Sequence, residues 1–393
     1  MTSGLHGSRS RRSSRRTSEL LPYGRQSISA KDVDAVASVL RGDWLTTGPA
    51  VDAFEDEISK RCGGHSAVSC TSGTAALHTA YAALGVARGD RVITTPMTFI
   101  ATASGASLLG AEIVFADVDK TTALLDPAAV EALVDERTRV IAGVDYAGHP
   151  CDYDRIQPIA DRVGAITLAD AAHSIGGTYK GRPVGDLADV TTLSFFPTKN
   201  LTTAEGGAVV AKDPDVARRA AEFHNIGLVR DQERFRIGSE GPWHQEVHEF
   251  GLNYRLTDVA CALGISQLQR LEAFKRRRAE ITERYNTALD DLAGLRIPHQ
   301  TGDVSPAWHL YPLRVLDGRR NELFVKMREA GIGVQVNYMP VYWHPVYADL
   351  GYRRGMCPNA EAFYAEELSL PLFPDLTDSD VDRVVDALNR CLK

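Results

Sequence analysis

Between residues 65 and 211 the chain alternates short apolar runs with helical stretches. No other feature of the sequence limits its fold so strongly. The runs cover residues 65–70, 91–95, 111–116, 140–146, 165–170, 190–195 and 207–211, and they are rich in Val, Ile, Leu and Ala. A strand with one wet face alternates polar and apolar residues; these do not, so they are expected to be buried on both faces. Helical spacing over 71–83, 99–109, 127–136 and 153–163 supplies the covering layers. The pattern predicts an α/β fold, a large three-layer domain built on a mostly parallel sheet.

After Arg255 the pattern changes. Val259, Leu263, Leu268, Leu271 and Phe274 fall at helical spacing, and a charged stretch over 275–278 follows without Pro or Gly. This predicts one long helix leaving the large domain. A strand over 308–315 and helices over 321–330 and 378–392 complete a smaller C-terminal α+β domain. The expected division is a disordered basic tail (1–19), a large domain (20–260) and a small domain (261–393).

The formal charge is −7, and residues 1–18 carry five arginines and no acid, which leaves the remainder near −12. A body this acidic argues against a nucleic-acid-binding domain, whose affinity comes from Lys and Arg on phosphates. The six cysteines are scattered and form no CxxC pair, so reduced thiols and a cytoplasmic location are expected. No apolar run approaches the roughly 18 residues a membrane span needs.

In open α/β sheets, ligands bind beyond the carboxyl ends of the strands. Thr71-Ser72-Gly73-Thr74 follows the first run and opens a helix. It reads as an ordinary N-cap or as an anion cradle. Asp170 ends the fifth run and is followed by Ala171-Ala172-His173. It reads as another cap or as a carboxylate that keeps a ring nitrogen protonated. Lys199 follows an apolar run and a proline in Ser194-Phe195-Phe196-Pro197-Thr198-Lys199-Asn200. A snorkelling lysine and a Schiff-base lysine are both open. Together the three are the parts a pyridoxal phosphate (PLP) enzyme needs, in one order along one sheet. His244-Gln245-Glu246-Val247-His248 has zinc-like spacing with the Glu one place off, and Pro242 opposes the helix such a site requires. No metal is expected.

With those motifs, and with Gly48-Pro49, Glu205-Gly206-Gly207, Asn253-Tyr254-Arg255, Trp308-His309-Leu310-Tyr311 and Ser369-Leu370-Pro371-Leu372, the sequence resembles the DegT/DnrJ/EryC1/StrS family of fold-type I PLP-dependent sugar aminotransferases. Tyr23-Gly24-Arg25-Gln26, residues 148–152 and residues 336–345 resemble its branch that makes UDP-4-amino-4,6-dideoxy-N-acetyl-β-L-altrosamine. The resemblance implies that Lys199, Asp170 and His173 are catalytic, with Lys199 holding PLP. It further implies that Gly73, Thr74 and Ser194 bind the cofactor phosphate, that Phe99 stacks on its ring, and that Asn253 reaches the phosphate of a neighbouring subunit in a homodimer with shared sites.

Trp44, Arg255, His309, Asn337 and Tyr338 are the substrate-side candidates, with Trp308 beside them. Relatives often carry His where this chain has Asp145 and Asn337; both positions are expected nearer substrate than cofactor. The implied reaction moves an amino group from L-glutamate to the C-4 keto group of a UDP-linked sugar. A C-3 keto sugar, a cyclitol ketone, a dehydratase and a non-enzymatic regulator are the alternatives.

Overall fold

The computed structural model describes residues 20–393; the basic tail expected over 1–19 lies outside the described residues. Seven strands make the central sheet: β1 (Ser66–Cys70), β2 (Arg91–Thr94), β3 (Glu112–Phe115), β4 (Thr138–Val144), β5 (Ile166–Asp170), β6 (Val190–Ser194) and β7 (Gly207–Ala211). Their order is β1-β7-β6-β5-β4-β2-β3. β7 runs antiparallel to both neighbours, and every other pairing is parallel. All five residues of β7 and the last five of β4 are buried, as their unbroken apolar sequence requires. Helix Gly73–Ala83 packs on β6 and β7, and helix Tyr153–Val163 on β4 and β5.

Because β7 is reversed, its first residue lies beside the carboxyl ends of its neighbours: Gly207 pairs with both Cys70 and Ser194. A Cβ at Gly207 would lie 2.5 Å from the Ser72 carbonyl oxygen. Glycine is therefore needed for the two loops to converge.

A second, antiparallel sheet orders β8 (Leu295–Arg296), β9 (Tyr311–Val315) and β10 (Glu367–Leu370) with β9 in the middle. Helix Arg320–Glu329 packs on β10 and on helix Asp378–Leu392, which also meets helix Leu271–Leu289. The start of the described chain joins this part of the molecule: Leu21 donates to the Gly331 carbonyl at 3.0 Å and accepts from the Gly333 amide at 2.7 Å.

The long helix expected after Arg255 is two helices, Asp258–Leu268 and Leu271–Leu289. The break falls where three side chains turn to one buried carboxylate: Asp32 accepts from Ser266 (2.6 Å), Gln267 (2.9 Å) and Arg270 (3.1 Å). Asp32 also closes the capping box that starts helix Ala30–Leu40 with Ser29. The next helix, Pro49–Arg61, lacks a side-chain cap of its own. Asp258 substitutes from afar, taking the Gly48 and Ala50 amides at 2.8 and 3.0 Å. No helix among the described residues is long and apolar enough to cross a membrane.

Candidate active site

The carboxyl ends of β5 and β6, the start of helix Gly73–Ala83 and segments near both ends of the chain enclose a cavity of about 530 Å³. That is the usual size of a small-molecule site. Its lining includes Lys199, Asp170, His173, Gly73, Thr74, Ser194 and Phe99.

Asp170 closes β5 and is 6% exposed. Burial raises its pKa; the Thr102 hydroxyl on Oδ2 (2.6 Å) and the Ala172 amide on Oδ1 (3.2 Å) oppose that rise. Thr102 is itself held by Thr98 at 2.7 Å. Each carboxylate oxygen keeps a lone pair for a further donor. Lys199 stands half-buried on the loop after β6, anchored by its amide to the Phe196 carbonyl at 2.9 Å. Desolvation lowers its ammonium to about 8, against the pull of Asp170. A lysine near neutrality at its cavity is a nucleophile and a proton carrier.

His173 is buried and its ionisation is pushed well below the ordinary range, first by desolvation and then by Lys199. Its ring lies 4.3 Å from that of His309 between centroids, and its Nε2 is 3.3 Å from the Tyr338 hydroxyl. The Nδ1 atoms of His173 and His309 have no partner. Ser72 caps helix Gly73–Ala83 by accepting from the Ala75 amide at 3.1 Å. A Cβ at residue 73 would lie 2.8 Å from Ser194 Cβ. The glycine keeps the amides at the helix start open beside the Ser194 hydroxyl, an arrangement that favours an anion.

These features fit PLP. The open helix start and Ser194 can take its phosphate, and Asp170 its ring nitrogen. Lys199 can take its aldehyde, and the unpaired His173 Nδ1 lies in the same wall. Phe99, 59% exposed at the cavity, offers a stacking face.

Not every candidate converges. His309, Asn337 and Tyr338 line the cavity; Trp44, Asn253 and Arg255 do not. Trp44 and Asn253 are exposed, and Arg255 donates from one Nη to Asn225 at 2.7 Å while its Nε has no partner. Trp308 is buried outside the cavity. Asn337 is largely consumed by the protein, as described below. Asp145, expected near substrate, is buried at the end of β4 and does not line the cavity. Burial raises it to about 7, although Ser174 (2.6 Å), the Cys151 amide (3.0 Å) and Tyr153 (3.1 Å) all donate to it. It ties the turn that carries His173 to the strand behind Asp170. The His244–His248 segment forms no helix. Glu246 accepts the Arg236 and Ile237 amides and both imidazoles, closing a loop on itself.

Thr102, Tyr23 and Gln335 were not singled out as site residues by sequence. Thr102 is an unremarked helical threonine, while Tyr23 stood only within a motif of the branch.

Residues 26–389 match the DegT/DnrJ/EryC1/StrS aminotransferase family. The Bacillus subtilis spore coat polysaccharide biosynthesis protein SpsC is 39% identical over 95% of this chain and 97% of its own length. Helicobacter pylori PseC, an aminotransferase involved in the biosynthesis of pseudaminic acid, superposes with a TM-score of 0.89 at 29% identity. That match covers 95% of this chain and 99% of PseC. A Streptococcus pneumoniae structure in its PMP form gives 0.89 at 30% identity, covering 94% and 98% of the two chains; the same protein is also solved in its PLP form. The chain belongs to the DegT/DnrJ/EryC1/StrS aminotransferase family and is a PLP-dependent sugar aminotransferase.

Proposed function

We propose that this enzyme transfers an amino group from L-glutamate to the C-4 keto group of a UDP-4-keto-6-deoxy-N-acetylhexosamine, in two half-reactions of ping-pong type. The observation that carries the chemistry is the pairing of a lowered Lys199 with a buried, hydrogen-bonded Asp170 beneath one anion cradle. The likeness to PseC supports the choice of sugar.

PLP, when bound, supplies an electron sink that acidifies the carbon bearing the migrating nitrogen. Asp170 keeps a proton on the ring nitrogen, since a carboxylate near that nitrogen favours its charged form. Gly73, Thr74 and Ser194 would hold the phosphate. Lys199 would hold the cofactor's aldehyde, and its Nζ would serve as the base that takes the proton from the donor's Cα. In the second half-reaction it delivers a proton to the sugar carbon that receives nitrogen. Positioned acid–base catalysis of this kind contributes about 10²–10⁴ in rate. His173, kept neutral by burial, would offer the cofactor an uncharged hydrogen-bonding group.

The working unit in this reading is a homodimer in the cytoplasm. Asn253 lies outside its own chain's cavity and is exposed, as a residue serving a neighbour's cofactor would be. Ile237, Trp243 and Phe250 in the preceding loop are 81%, 74% and 98% exposed, an apolar group that a second copy would cover.

The test is to load the enzyme with PLP, supply L-glutamate, and offer UDP-4-keto-6-deoxy-N-acetylhexosamine, a dTDP-linked 4-keto sugar, a 3-keto sugar and a cyclitol ketone in turn. A 4-amino UDP-sugar, with 2-oxoglutarate released, is the expected product. Turnover of the 3-keto sugar or the cyclitol alone would overturn the assignment of substrate.

A further inference from the structure

We propose that Thr102 is a positioning residue for amino transfer: its hydroxyl fixes the carboxylate of Asp170 that meets the ring nitrogen of the bound cofactor. This rests on the reading of Asp170 and PLP given above.

Thr102 lies in the first turn of helix Ala101–Ser107, is fully buried and does not itself line the cavity. Three residues earlier, Phe99 does line it, and the Thr102 amide donates to the Phe99 carbonyl at 3.3 Å. The Thr102 carbonyl accepts from the Tyr81 hydroxyl at 2.9 Å. Tyr81 belongs to helix Gly73–Ala83, whose start forms the anion cradle. The two helices pack closely, since a Cβ at Gly105 would lie 3.3 Å from Tyr81 Cδ2. The backbone of Thr102 thus ties the stacking face of the site to the helix of its phosphate end.

The side chain ties in the third part. Thr102 Oγ1 is 2.6 Å from Asp170 Oδ2, and the Ala172 amide is 3.2 Å from Oδ1. With both oxygens held, the carboxylate is fixed in rotation. The hold does not depend on the charge of Asp170. When the carboxylate is ionised, Thr102 donates to Oδ2 and accepts from the Thr98 hydroxyl at 2.7 Å. When Oδ2 carries a proton, it donates to Thr102, whose own hydrogen turns to the Phe99 carbonyl at 3.3 Å. A hydroxyl serves both states because it donates and accepts. A protonated ring nitrogen favours the ionised state. Burial raises Asp170, and Thr102 is the strongest of the groups that oppose the rise. An apolar side chain of the same shape would fill the space and leave Oδ2 without its partner.

The experiment compares Thr102→Val, which keeps the shape and loses the hydroxyl, with Thr102→Ser, which keeps the hydroxyl. Both are made in the wild type and in Asp170→Asn. PLP affinity is read by absorbance titration of the apo-enzyme, and each half-reaction by single-turnover absorbance. We expect Thr102→Val to bind PLP more weakly and to slow both half-reactions alike by about 10- to 100-fold, the scale of one hydrogen bond to a charged group. Thr102→Ser should restore most of that loss. Added to Asp170→Asn, the valine should cost less than about twofold more, because a residue that acts through another is not additive with it. Where thermal unfolding shows the valine variant damaged, Thr102→Ala removes the same hydroxyl and carries the same expectations. Half-reactions unchanged in the valine variant, a serine variant as slow as the valine one, or a valine effect undiminished in Asp170→Asn would overturn the role of Thr102. A wild type that takes up no PLP, or an Asp170→Asn enzyme as fast as wild type, would overturn the reading of Asp170, and this inference with it.

Discussion

The floor and the far wall of the cavity are built differently. The floor is made of strand ends: Asp170 closes β5, Ser194 closes β6, Lys199 follows five residues later, and Gly73 opens the helix after β1. Each is positioned by the few residues around it. The far wall joins pieces distant in sequence. Tyr23 meets Asn337 from 314 residues away, and Asn337 meets Ser369 across 32. In the function proposed above, the floor would carry the chemistry common to aminotransfer and the wall the choice of acceptor. Local geometry can hold the first, while the second requires the two ends of the chain to meet.

The comparison is tested most severely at the floor. Lys199→Ala is expected to abolish turnover in both half-reactions. Losing positioned acid–base catalysis alone costs about 10²–10⁴, and the nucleophile goes with it. Activity near wild type in single-turnover assays would break the account. Asp170→Asn should retain the fold and slow both half-reactions by about 10²–10³, the scale for one preorganised electrostatic partner. Slowing of the sugar step alone would blur the division between floor and wall.

A third expectation concerns pH. In the proposed function the neutral amine of Lys199 would attach PLP, and its ammonium is lowered to about 8. The rate of attachment to the apo-enzyme should therefore rise with pH and level off above about 8, falling about tenfold per unit below it. Asp170 raises the lysine's pKa, so Asp170→Asn should move the midpoint down. An upward move would contradict the sign of that coupling. The smallest effect belongs to the wall: Ser369→Ala removes one donor to the buried Glu367 and one acceptor for Asn337. It should cost about 1–3 kcal/mol in denaturant unfolding and leave the glutamate step unchanged.

The same division explains what the sequence made legible. The seven strands were readable because burial on both faces leaves unbroken apolar runs. Lys199 and Asp170 were readable because each is chemically out of place at the end of such a run. The break at Gln269-Arg270 was not, since its cause is Asp32, more than 230 residues away. Asn337 was a candidate for contact with substrate, yet its amide hydrogens are spent on Tyr23 and Ser369. Asp145 was expected near substrate for the same reason: a polar residue after a strand resembles a site residue until its partners are known. Tyr23 stood in a motif, but nothing local says that it lines a cavity with Gln335, Asn337 and Tyr338.

The most direct test is an absorbance spectrum of the protein with PLP, before and after L-glutamate, alongside Lys199→Ala. A visible band that forms in the wild type, bleaches with glutamate and is missing in the variant is the predicted result. A wild-type protein that shows no band with excess PLP, or a band that glutamate leaves untouched, would contradict the central claim.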